Sequence, residues 1–161
     1  MKTQFTKDIP NKKMTVVREF NAPLENVWNA WTQSELLDQW WAPKPWKAKT
    51  KSMDFKEGGT WFYAMIGPDG TEIWALVDFL TIINHKMYEA VDAFSDKNGN
   101  KNSEFPNMNW KNDFTATAAG TKVRIEISFK SEDDLRKIIE MGFVEGFTAA
   151  HGNLDEVLAA M

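Results

Sequence analysis

The sequence contains no cysteine. That excludes disulfides, a thiolate nucleophile, iron–sulfur clusters and cysteine-based zinc sites. Histidine is nearly absent: His85 and His151 stand far apart in the chain and make a poor metal site, so no metal and no cofactor is expected. Positive charge is not in excess. With 19 Lys and Arg against 23 Asp and Glu, the net charge is −4, which argues against nucleic acid as a partner. No apolar run approaches the ~18 residues of a membrane helix. Residues 1–13 are polar and lack the apolar stretch of a signal peptide, so a cytoplasmic location is expected. Gly-rich nucleotide loops, H-E-x-x-H and G-x-S-x-G are all missing. The segment Asp96-Lys97-Asn98-Gly99-Asn100 has its glycine too early for a calcium loop and no glutamate at the twelfth position, so it reads as a hairpin loop.

What is present is a globular composition of 161 residues, 43% hydrophobic and 26% charged, a length that suits one domain. Eight tryptophans and eight methionines stand out. Residues 1–12 read as a loose lead-in, and residues 13–161 as the domain. Residues 14–20 alternate as a strand. Leu24, Val27, Trp28 and Trp31 then line one face of a short helix. Thr32 and Glu35 have the spacing of a capping box for a second short helix, which Pro43 and Pro45 end. Strand patterns follow at 46–55, 60–66, 71–83, 86–94, 108–117 and through Val123 to Phe129. Gly67-Pro68-Asp69-Gly70 is a hairpin turn. Ser131 and Asp134 open a helix, Gly142 is a joint, and a long helix carries Phe143, Phe147, Ala150, Leu154 and Leu158. Strands joined in order by short turns give an antiparallel meander, and the last helix is its natural cover. The class is α+β.

Four motifs then point to a family. They are Arg18-Glu19-Phe20-Asn21-Ala22-Pro23 with Val27-Trp28-Asn29-Ala30-Trp31-Thr32; Leu36-Leu37-Asp38-Gln39-Trp40-Trp41-Ala42-Pro43; Asp54-Phe55-Lys56-Glu57-Gly58-Gly59-Thr60-Trp61; and Gly142-Phe143-Val144-Glu145-Gly146-Phe147. Together they resemble the bacterial homologues of the activator of heat-shock-protein-90 ATPase, within the START/polyketide-cyclase superfamily. The resemblance implies a helix-grip fold: a curved antiparallel sheet of about six or seven strands around a long C-terminal helix, with two short helices after the first strand. It also implies an apolar small molecule bound between sheet and helix. Some superfamily members catalyse cyclisation or dehydration, and the namesake is a co-chaperone. The chain departs from the pattern at Lys56, where Arg is usual, at Phe147, where Trp is usual, and at His151, where an apolar residue is usual.

Several groups are candidates for function, each with a plainer reading as structure. Trp61, Tyr63 and Met65 share one strand face; Met108 and Trp110 share another; Phe143 and Phe147 lie on the last helix. These side chains either fill a core or line a pocket. Indole N–H groups need partners when buried, which favours a pocket holding water or ligand. Trp41 and Trp46 flank a proline pair and are read as a lid or as anchors of the short helix. His151 is a ligand contact and a weak candidate for acid–base chemistry with Asp78 or Glu89; otherwise it is a helix-edge histidine pairing with Asp155. The expected partner is a small apolar or aromatic molecule held by a non-catalytic carrier or sensor. The alternatives are a cyclase-type enzyme and a co-chaperone-like interaction module, and a homodimer is compatible with each.

Overall fold

A computed structural model describes residues 2–161. The strands are β1 (Gln4–Asp8), β2 (Lys13–Phe20), β3 (Lys47–Met53), β4 (Thr60–Ile66), β5 (Glu72–Ile83), β6 (Met87–Ser95), β7 (Asn109–Ala116) and β8 (Thr121–Ser128). The helices are α1 (Leu24–Thr32), α2 (Ser34–Trp40), α3 (Glu132–Glu140) and α4 (Phe143–Ala159). All eight strands form one antiparallel sheet in the order β1-β2-β8-β7-β6-β5-β4-β3. β3 to β8 run as a meander, and β2 then pairs with β8. The sheet is unclosed, with β1 and β3 at its edges. Register shifts at Thr50/Ser52 and Phe79/Thr81 bend it.

Alternation sets which side chains face α4. Met14, Val16 and Phe20 of β2, Val123, Ile125 and Ile127 of β8, and Trp110 and Phe114 of β7 are buried on the inner face. Against them pack Trp31, Trp40, Ala150 and Leu154 from the helices. Burying each large apolar side chain contributes roughly 1.5–3 kcal/mol.

Three expectations change here. The strand count is eight, because residues 4–8 of the expected lead-in pair with β2 from Gln4↔Val17 to Asp8↔Lys13; Met1 lies outside the described residues. The Thr32–Glu35 capping box does not form. Gln33 caps α2 without a side-chain bond, while Thr32 Oγ1 donates back to the Trp28 carbonyl at 2.8 Å. The Ser131 box does form, its hydroxyl accepting from Asp134 N at 3.1 Å. The third change is β3, which begins at Lys47 and ends at Met53, shorter than the 46–55 pattern.

Gly142 separates α3 from α4. It caps α4 with φ at 89°, a left-handed conformation that glycine adopts without strain. The turn it makes lets Leu135 and Ile138 of α3 join the same core as α4.

Candidate functional site

A cavity of about 340 Å³ lies between the inner face of β4–β7 and the α3–α4 corner. It arises from the chain's local preferences. β4 and β5 place Tyr63, Met65, Ile73 and Ala75 on one wall; β6 and β7 place Asp92, Phe94 and Trp110 on another. Phe143 and Phe147 of α4 close a third, and Ile138 of α3 and Met141, which caps α3, stand beside them. Ile73 and Met141 are exposed as well as lining, which marks where the space opens to solvent.

Trp41 is held from two directions. Its indole N–H donates to the Tyr63 hydroxyl at 2.9 Å, so it forms a wall of the cavity. Behind it, Asn153 Nδ2 of α4 donates to the Ala42 carbonyl at 3.0 Å and to that of Trp40 at 3.4 Å. These bonds fix the end of α2 against α4. Trp46 lies over the β4–β5 turn, close enough that a Cβ on Gly67 would sit 3.1 Å from the indole.

Eight of the ten residues expected around a ligand line the cavity: Trp41, Trp46, Tyr63, Met65, Met108, Trp110, Phe143 and Phe147. Trp61 does not. It stacks on the far side of Tyr63, ring centroids 4.1 Å apart, and donates its N–H to Thr50 Oγ1 at 2.9 Å. His151 does not line it either. It is fully buried behind Phe147 among Phe20, Trp31 and Trp40, and its Nδ1 lies 2.9 Å from Thr3 Oγ1. Burial, and then the Arg18 guanidinium, hold this imidazole down at about 3, so it is neutral near pH 7. Asp155 pairs with Arg18, not with His151, at 2.6 Å, and Arg18 also donates to the His151 carbonyl at 3.0 Å.

The candidate proton-transfer partners lie elsewhere. Asp78 sits on the outer face of β5, between the buried Val77 and Phe79, accepting from Thr60 Oγ1 at 2.7 Å and from Lys101 Nζ at 2.9 Å. Burial pushes its carboxyl up, but the bonds from Lys101 and Thr60 outweigh this and hold it below its ordinary value. Glu89 lies between the buried Tyr88 and Ala90 and pairs in register with the exposed Lys111. It too faces outward. His151, Asp78 and Glu89 therefore share no cavity.

The carboxylate that does reach the cavity is Asp92. It accepts the Met108 backbone N–H at 2.7 Å and the Trp110 indole N–H at 2.9 Å. Burial lifts its carboxyl to about 6, although both hydrogen bonds pull it down. Burial, and secondly the Asp92 charge, push the Tyr63 hydroxyl above its ordinary value. Asp92 was legible in principle: in the alternation that buries Tyr88 and Ala90, it is the next inward position. Pro43, Phe94 and Met141 also line the space without a motif to mark them. Among the described residues, no group of three His, Asp or Glu is placed to hold a metal ion, and no helix is long and apolar enough to cross a membrane.

An open antiparallel sheet curled over a long C-terminal helix, with a cavity between them, defines the helix-grip class. Within that class the chain belongs to the family described as Activator of Hsp90 ATPase homolog 1-like protein, whose model matches residues 21–159. A protein from Arthrobacter aurescens, solved by NMR, is 31% identical, with a TM-score of 0.92 over 98% of this chain and 92% of that one. A crystal structure of a Mycobacterium smegmatis protein is 26% identical, with a TM-score of 0.90 over 99% and 98%. A Staphylococcus epidermidis protein, also solved by NMR, is 25% identical, with a TM-score of 0.85 over 97% and 93%. No curated protein matches the chain.

Proposed function

We propose that this protein binds a small apolar or aromatic molecule in the cavity between the sheet and the α3–α4 corner, as a non-catalytic carrier or sensor. One observation carries the reading: a space of about 340 Å³ walled by Trp41, Tyr63, Trp110, Phe143 and Phe147. Its volume is within the range of small-molecule sites, and only a few polar groups line it, Asp92 and Tyr63 among them. Close packing would have filled such a volume with side chains. The cyclase-type alternative needs His151 beside Asp78 or Glu89, and their separate surroundings give it no support.

The test is intrinsic fluorescence. Trp41 and Trp110 stand at the cavity wall, so titration with a panel of small aromatic compounds is expected to change emission saturably. The variant Phe147→Trp should weaken that response by adding bulk to the cavity while leaving the fold intact. A panel that moves neither emission nor melting temperature would overturn the reading.

A further inference from the structure

Resting on that reading, we infer that the cavity selects an organic cation: an ammonium group carried on an aromatic or apolar body. The cavity's charge is one-signed. Of the residues that line it, Asp92 alone carries a formal charge, and neither Lys nor Arg is among them. A negative ligand would meet a carboxylate with no counter-charge at hand. A neutral ligand would bury that carboxylate further with no counter-charge, which favours uptake of a proton over the charged form. A cation resolves both.

The aromatic rings that line the cavity together with Asp92 suit the same occupant. Trp110, which donates to Asp92 through its ring edge, lies 6.0 Å from Trp41, 5.7 Å from Phe147 and 6.0 Å from Phe143, centroid to centroid. Trp41 and Phe147 are 5.8 Å apart. Aromatic faces attract ammonium groups, most strongly where water is excluded, and Trp is the best of them. Each Asp92 oxygen accepts one N–H, so each keeps a lone pair for a further donor or for direct contact with a quaternary centre. The Tyr63 oxygen, already accepting from Trp41, adds a second electron-rich atom to the cavity from the β4–β5 wall. An Asp92 that served only to hold Met108 and Trp110 in place would give the cavity no preference for charge.

Three probes of similar body separate the cases by calorimetry or fluorescence at pH 7.5: phenyltrimethylammonium, its neutral counterpart tert-butylbenzene, and benzoate. Phenyltrimethylammonium is expected to bind at least tenfold tighter than tert-butylbenzene, with benzoate weakest. In Asp92→Asn the cation's advantage over tert-butylbenzene should shrink to less than threefold. Equal or tighter binding of tert-butylbenzene or benzoate by the unaltered protein overturns the inference and leaves the proposed cavity function standing. Binding of none of the three removes both. The comparison within the unaltered protein holds even if the Asp92 variant fails to fold.

Discussion

At the scale of single residues, two buried titratable groups oppose one another. His151 has a folded value near 3 against an ordinary 6.5. Its neutral form is favoured by folding, so its contribution is complete above pH 6.5 and is lost as pH falls toward 3. Asp92 has a folded value near 6 against an ordinary 3.8. Its protonated form is favoured by folding, so its contribution is complete below pH 3.8 and is lost as pH rises through 6. The integrated effects are on the order of 4–5 kcal/mol for His151 and about 3 kcal/mol for Asp92. Their slopes cancel where both act. Stability measured by urea unfolding is therefore expected to stay nearly level between pH 6 and 4.5 and to fall below pH 4. Replacing His151 with Gln should turn the level region into a rise toward acid. A variant whose curve parallels the unaltered protein would show that His151 titrates normally. The tryptophans are also resolved at this scale. Trp40, Trp61 and Trp110 donate their N–H groups to Ala30 O, Thr50 Oγ1 and Asp92, so burial of these indoles needs no ligand. Trp31 differs from them, with a buried N–H that has no partner among the described residues.

At the scale of elements, the glycine pair between β3 and β4 ties that connection to β5 at Phe79, beside the register shift. The two glycines act for different reasons. Gly58 has φ at 84° and open space where a methyl group would stand, so a side chain there costs only backbone strain. Gly59 would place a Cβ 2.0 Å from the Asp54 carbonyl oxygen, which is backbone and has little freedom to move. Both glycines are tied to β5, Gly58 N donating to Phe79 O at 2.9 Å and Phe79 N to Gly59 O at 3.0 Å. The variant Gly58→Ala is expected to lose about 1 kcal/mol, and Gly59→Ala at least twice that, both read from denaturation midpoints. Equal losses would mean that the β3–β4 connection shifts freely. A related control operates at the β3 edge. Asp38 of α2 accepts Thr50 N at 2.9 Å and Thr50 Oγ1 at 2.6 Å, which occupies an outward N–H of the edge strand. Lys47, Lys49 and Lys51, all exposed, discourage a further strand from pairing there.

At the scale of the whole molecule, the space under the sheet divides into two regions that share α4. One, beneath β2 and β8, is packed solid around Trp31, Trp40 and His151; the other, beneath β4–β7, holds the cavity. The meander, the α3–α4 corner and most of the cavity wall were legible in the sequence, because strand alternation and the Gly142 joint are local signals. Asp92 required the phase of β6, which a strand of mixed polarity states weakly. The position of His151 was not legible at all. The Thr3 partner of its Nδ1 is carried in by β1, whose sequence Gln-Phe-Thr-Lys-Asp has one large apolar residue and becomes a strand only by pairing with β2. Phe5 packs against the core, and Thr3 lies 2.9 Å from the histidine. The packed region is thus completed by the first residues of the chain. Removing residues 2–8 should strip five paired positions and the Phe5 contact, a loss of about 2 kcal/mol or more. It should also open His151 to water and raise its titration toward the ordinary range, visible as its ring protons shift with pH in NMR. The cavity shares no lining residue with this segment, so probe binding, measured well below the lowered melting temperature, should keep its affinity. Loss of binding in the shortened chain would show that the two regions act as one, with the N-terminal strand holding the cavity open through α4.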